Sequence, residues 1–131
     1  MDSGKLVVLS APSGSGKTSL VKELLKEKLN LGFSISATSR APRGKEKNSL
    51  DYYFLSHEEF VDKINENAFL EYEEVYEGTF YGTLKNEIKR IWGSGKHVLF
   101  DIDVYGGIKI KNQYPENTLS VFIMPPSIKE L

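Results

Sequence analysis

From Ser10 the chain reads Ser-Ala-Pro-Ser-Gly-Ser-Gly-Lys-Thr-Ser. Gly14 and Gly16 permit backbone conformations that aim successive N–H groups at one point, which suits phosphate oxygens. A helix starting directly behind such a loop adds the positive end of its dipole. In this arrangement Lys17 reaches the β- and γ-phosphates of a nucleoside triphosphate, and the Thr18 hydroxyl ligates Mg²⁺. The strict pattern asks for glycine at the position held by Ala11. The plain alternative is a glycine-rich turn with an exposed lysine. An apolar run before the loop and a helical pattern after it argue for the phosphate loop.

Asp101 is the second chemical signal. It follows the apolar run His97–Phe100 and so belongs at the carboxyl edge of a sheet, where open α/β sheets bind their ligands. A carboxylate there can hold Mg²⁺ through water, opposite a phosphate loop. Taken alone, an Asp after a strand serves more often as a helix cap or turn residue. Arg40 and Arg43 are the third signal. Three apart and bracketing Pro42, they can converge on one phosphate with fork geometry, although such a pair in isolation would be ordinary surface charge. Charge is segregated along the chain. Arg40, Arg43, Lys45 and Lys47 are opposed only by Glu46, whereas Glu58 to Glu77 holds eight acids and one base, Lys63. Two solvated faces would account for this, as would a ligand with one anionic end and one end rich in hydrogen-bond donors.

These residues need a scaffold, and the hydrophobic pattern supplies one. Lys5–Leu9 reads as a buried strand. Lys17–Leu29 reads as a helix, with Leu20, Val21, Leu24, Leu25 and Leu29 at helical spacing and with Asn30 and Gly32 as stop signals. Phe33–Ala37 reads as a short strand leading into the basic loop. Ser56-His57-Glu58-Glu59 is a capping box opening a helix through about Asn65, with Phe60, Val61 and Ile64 on one face. Phe69–Tyr76 reads as a strand, Glu77-Gly78 as a turn, and Leu84–Trp92 as a helix stopped by Gly93. A strand over His97–Phe100, a short helix to about Asn112 and a strand over Leu119–Ile123 follow. Helices alternating with apolar strands predict an α/β fold with a largely parallel sheet. Ser127 and Glu130 form a second capping box, yet the chain stops at Leu131, before a helix could propagate. The expectation is a chain truncated at its C-terminus.

Bulk properties set bounds. The 131 residues suit one domain, and 40% apolar with 27% charged residues is ordinary for a soluble globular protein. A net charge of −1 gives no general attraction to nucleic acid or anionic lipid. The absence of cysteine excludes disulfides, thiolate metal sites and cysteine nucleophiles. Leu6–Leu9 is too short for a signal sequence or a membrane span, so a cytoplasmic location is expected.

The segments Ser10–Thr18, Thr38–Arg43, Asp51–Phe54, Phe69–Tyr72, Phe80–Thr83, Asp101–Val104 and Val121–Ser127 together resemble guanylate kinases, in the family's order and spacing. The resemblance covers nearly the whole chain and is far more specific than any one motif. It implies an α/β fold with a P-loop NTPase-type parallel sheet core flanked by helices (about residues 1–36 and 94–131). A small mixed α/β GMP-binding insertion occupies about residues 37–93. It also implies transfer of the γ-phosphoryl of ATP to GMP with Mg²⁺, with GMP and ATP as partners and no nucleic acid or membrane. ATP would lie against Ala11, Pro12, Ser13, Gly14, Ser15, Gly16, Lys17, Thr18 and Ser19, with Thr18 and Asp101 at the metal. Arg40, Arg43, Tyr52 and Tyr81 would hold the GMP phosphate. Ser36, Glu71 and Thr83 would contact guanine, with Asp103 close by. Lys17, Arg40 and Arg43 would be the catalytic residues.

The chemistry of guanine agrees with that carry-over. Its N1–H and 2-amino group lie side by side, and one glutamate carboxylate accepts from both. Adenine offers a lone pair at N1, so Glu71 would repel it, and a Thr83 hydroxyl can donate to guanine O6. Outside the resemblance, Glu71 would be one more charge on an acidic strand, and Tyr52 and Tyr81 could be core aromatics. The GMP phosphate is already a nucleophile, so positioning and charge neutralisation are the work required. Ala11 is common in the family. Tyr105 and Gly107 depart from its usual glutamine and alanine, and no role is carried onto them. The arginine-bearing lid and the adenine-contacting segment that follow in the family have no counterpart in these residues. A non-catalytic guanylate-kinase-like binding module and another P-loop nucleotide kinase are the competing readings. The intact Lys17 loop argues against the first, and Arg40, Arg43 and Glu71 argue against the second.

Overall fold

A computed structural model of the chain describes residues 4–11 and 17–123. Pro12–Gly16 of the phosphate loop and the second capping box at Ser127–Glu130 lie outside the described residues. The chain divides into two compact units: the described residues of Met1–Phe33 with Ile91–Leu131, and Ser34–Arg90. The divisions fall three residues ahead of the expected boundaries at 36/37 and 93/94.

The first unit is a parallel sheet with helices. Its strands are β1 (Leu6–Ser10), β2 (Leu31–Phe33), β7 (His97–Asp101) and β8 (Thr118–Phe122), in the order β2-β7-β1-β8. All three pairings are parallel. The central strands β1 and β7 read as near-continuous apolar runs, as strands covered on both faces must. Leu6, Val8, Leu9, Val98, Leu99 and Phe100 are buried. Helix α1 (Lys17–Lys26) lays Val21 against Leu9 and Leu99. It ends three residues before the expected Leu29. There the Glu27 N–H is shared between the carbonyls of Glu23 and Leu24, and Asn30 turns the chain at φ 59°. Gly32 does not end the helix but lies inside β2, where a Cβ would stand 2.7 Å from Ile91 Cγ2. Helix α4 (Val104–Gln113) completes the unit, with Ile110 buried.

The second unit is a mixed sheet with two helices. Strands β3 (Ala37–Thr38), β4 (Tyr53–Phe54), β5 (Phe69–Tyr76) and β6 (Thr79–Leu84) lie in the order β4-β3-β6-β5. The β3–β4 pair is parallel and the others antiparallel. The single strand expected over Phe33–Ala37 is therefore two strands in two sheets, with Ser34–Ser36 as the crossing between them. The β5–β6 hairpin turns at Gly78, whose φ of 78° few other residues tolerate. Helix α2 (His57–Asn65) opens with the expected capping box. Ser56 Oγ accepts from the Glu59 N–H at 3.0 Å, and the Glu59 carboxylate accepts from the Ser56 N–H at 2.8 Å. Its Phe60 stacks between Phe69 and Phe80, with ring centroids 4.5 and 5.1 Å apart. Helix α3 (Asn86–Gly93), whose last three residues belong to the first unit, starts two residues later than expected, because β6 runs on to Leu84.

Candidate functional site

In the first unit, β1 and β7 run side by side with Leu9 opposite Asp101, so both strands deliver their carboxyl ends to one edge. Ala11 follows β1, and Lys17 is the first residue of α1, with Thr18 and Ser19 exposed in its first turn. Lys17 Nζ stands 2.6 Å from Asp101 Oδ1, with both side chains about three-quarters covered. That contact is an ion pair, and among the described residues no hydrogen bond to Asp101 Oδ1 adds to it. An anionic oxygen in that condition fits a strongly polarising donor such as a metal-bound water. Asp103 has a definite task. It is the N-cap of α4, and its carboxylate accepts the Gly106 N–H at 2.8 Å. The capping role that an Asp after a strand commonly takes therefore falls to Asp103 rather than Asp101. Among the described residues, no group of three or more His, Asp or Glu gathers to hold a metal by protein ligands alone.

In the second unit, Arg40 leaves the end of β3 and is held on every side. Its Nε donates to Tyr81 Oη at 3.1 Å, and Nη1 donates to the Ala41 carbonyl at 3.0 Å. Nη1 and Nη2 take the two oxygens of Glu46 at 2.8 and 3.0 Å, the fork-to-fork geometry of a charge-assisted pair. The guanidinium also lies over the Tyr52 ring, 5.0 Å from its centroid, and the Tyr52 and Tyr81 rings meet edge-on at 6.0 Å. Arg40, Tyr52 and Tyr81 thus form one cluster. The Arg43 side chain is exposed, and its backbone N–H donates to Glu46 Oε1 at 2.8 Å.

Glu46 was legible in the sequence only as the lone acid among four bases. Its spacing of three from Arg43 and six from Arg40 was the available signal for a loop closed by charge. Hydrogen bonding to Arg40 and to the Arg43 amide holds the Glu46 carboxyl down at about 2. The same bond from Glu46 raises the Arg40 pKa despite the cost of its burial.

Glu71 on β5 stands opposite Thr83 on β6, and the buried Thr83 hydroxyl donates to Glu71 Oε1 at 2.8 Å. The pleat explains the pairing, since residues directly opposite in an antiparallel ladder put their side chains on one face. Close approach of the strands nearby depends on Gly82, where a Cβ would come within 2.9 Å of the Phe69 ring. Ser36 precedes β3, and its carbonyl accepts the Tyr53 N–H at 2.9 Å. Within this unit, then, the sequence-predicted residues fall into a cationic–aromatic cluster of Arg40, Tyr52 and Tyr81 and a carboxylate–hydroxyl pair of Glu71 and Thr83.

Comparison with known proteins agrees in both sequence and fold. The family model for guanylate kinase matches residues 3–131. The guanylate kinase of Bacteroides thetaiotaomicron is 56% identical over 128 residues, covering 98% of this chain and 63% of the relative. That of Porphyromonas gingivalis is also 56% identical, covering 97% of this chain and 68% of the relative. The crystal structure of guanylate kinase from Anaplasma phagocytophilum superposes with a TM-score of 0.78 at 35% identity, over 99% of this chain and 64% of that one. The chain thus spans a little under two-thirds of the length of most of these relatives.

Proposed function

The chain belongs to the guanylate kinase family, and from that premise we propose that its reaction is the transfer of the γ-phosphoryl of ATP to GMP, giving ADP and GDP. The observation that carries the acceptor is the Glu71–Thr83 pair. A carboxylate held in place by a buried hydroxyl presents an acceptor surface suited to the N1–H and 2-amino group of guanine. A fixed carboxylate of this kind discriminates, because a base without matching donors leaves it unsatisfied. Ser36 is the further proposed guanine contact within this unit, and Asp103 serves as the cap of α4.

The phosphate end is assigned to Arg40, Arg43, Tyr52 and Tyr81. Arg40 is pre-oriented by Tyr81 and by stacking on Tyr52, so little side-chain freedom remains to be lost when an anion arrives. At the other substrate, the loop Ala11–Gly16 with Lys17, Thr18 and Ser19 would hold the ATP phosphates. Lys17 exchanges its Asp101 partner for phosphate oxygens. Thr18 and Asp101 would hold Mg²⁺, which when bound neutralises charge on the ATP phosphates. The acceptor phosphate oxygen is a nucleophile as it stands, so these side chains need only align it and stabilise charge. Catalysis is thus assigned to Lys17, Arg40 and Arg43. A cytoplasmic setting goes with these substrates. Among the described residues, no helix is long and apolar enough to cross a membrane.

Calorimetry with GMP and AMP tests the acceptor assignment. GMP is expected to bind and AMP to bind at least about tenfold more weakly, the scale of one unmatched polar pair. Equal affinities for the two nucleotides would overturn the Glu71 assignment.

A further inference from the structure

Glu87 is a buried carboxylate to which the proposed chemistry gives no task. It is the second residue of α3 and only 2% exposed. Four donors converge on it. The Ile35 N–H reaches Oε1 at 2.7 Å and Arg90 Nη2 reaches the same oxygen at 2.8 Å. Tyr53 Oη and Arg90 Nε reach Oε2 at 2.8 and 2.9 Å. Burial alone would raise its pKa, but the hydrogen bonds from Arg90, Ile35 and Tyr53 prevail and hold it below the usual carboxylate range. An anchor for one helix would not need donors from two further chain segments, those of Ile35 and Tyr53.

What the carboxylate provides is direction toward three chain segments. Ile35 immediately precedes Ser36. Tyr53 immediately follows Tyr52, and its own N–H donates to the Ser36 carbonyl. Glu87 itself lies four residues beyond Thr83, at the head of the helix that β6 feeds. Each segment tied to Glu87 thus carries one side chain assigned above to GMP: Ser36 and Thr83 at the base, Tyr52 at the phosphate. We propose that Glu87 is a positioning residue for the GMP site, fixing the mutual register of these three segments. This inference rests on the reading of Ser34–Arg90 as the GMP-binding unit.

Two variants and two ligands test it. Inosine monophosphate shares the phosphate and O6 of GMP but lacks the 2-amino group, so the ratio of GMP to IMP affinity reports how well the base contacts are aligned. A role confined to fold stability divides both apparent affinities by the same folded fraction and leaves the ratio fixed. Glu87→Gln is expected to weaken GMP binding about tenfold and to narrow the GMP:IMP ratio by about threefold. Tyr53→Phe removes a single bond at the rim of the network and should move both quantities the same way by less. It carries the test if the Gln variant does not fold. An unchanged ratio in the folded variants overturns the positioning role and leaves the GMP reading intact. Failure of the unaltered chain to bind GMP overturns that reading, and this inference with it.

Discussion

Glu46 sits where an opposing charge can close a loop on itself, and it takes both terminal nitrogens of Arg40 while accepting the Arg43 amide. Its carboxyl is lowered from an ordinary 4.5 to about 2. A group whose folded pKa is depressed contributes stability above its unfolded value and loses it as pH falls toward the folded one. The window is therefore between 4.5 and about 2. Glu46→Gln lacks the ionic pairing at every pH. The variant should melt below the parent at neutral pH, and the gap should shrink as the pH is lowered through that window. Thermal melts of the two proteins across the acid range decide the matter. A gap that stays constant down to the lowest pH at which both fold would mean that the pair contributes nothing through ionisation. The same guanidinium is proposed to meet the GMP phosphate, which would then compete with the Glu46 carboxylate for Nη1 and Nη2.

Elements in this chain are held by local devices whose strength can be gauged one at a time. The Ser56–Glu59 box satisfies two donors at the head of α2, the helix that carries Phe60 into its aromatic stack. Ser56→Ala should cost about 1 kcal/mol, read as a lower denaturant midpoint with an unchanged slope. An unaltered midpoint would show that tertiary packing alone fixes the helix start. This box was legible in the sequence because a cap is a short-range pattern. The buried parallel strands were legible too, since a short, continuous apolar run between turn residues suits a strand covered on both faces. The elements that sequence misplaced share one cause. The place of Gly32 inside β2, the division of Phe33–Ala37 and the extra length of β6 are decided by partners distant in sequence, and the turn at Asn30 that follows α1 is bonded to Gly95 and His97. Ile91 lies against Gly32, and Tyr53 and Gly82 pair with Ala37. Of the candidate site, Glu71 and Thr83 entered only through the family resemblance, whereas the phosphate loop, Asp101 and the Arg40–Arg43 pair stood out by type and spacing. The network at Glu87 did not, because a Glu and an Arg three apart on a helix are usually a surface pair. Only the fold brings Ile35 and Tyr53 to that pair.

The whole molecule bears an apolar surface that the function proposed for it does not use. Within the first unit, a groove of about 690 Å³ is lined by Leu20 and Leu24 of α1, Leu29 and Leu31, and Leu119 and Val121 of β8. Leu29 and Leu119 are 52% and 60% exposed, and among the described residues β8 is an outer strand of its sheet. Exposed apolar grooves beside an unpaired strand edge draw in other apolar surface, including further copies of the same chain. The 131-residue chain should therefore bind a hydrophobic dye while folded and sediment faster as its concentration rises. Leu119→Lys places a charge on that face, the usual protection of an edge strand, at a position where little burial is lost. It should reduce dye binding and association together while shifting the melting temperature by no more than about 2 °C. Dye binding and sedimentation identical in parent and variant would show that the groove is not the surface through which the chain associates.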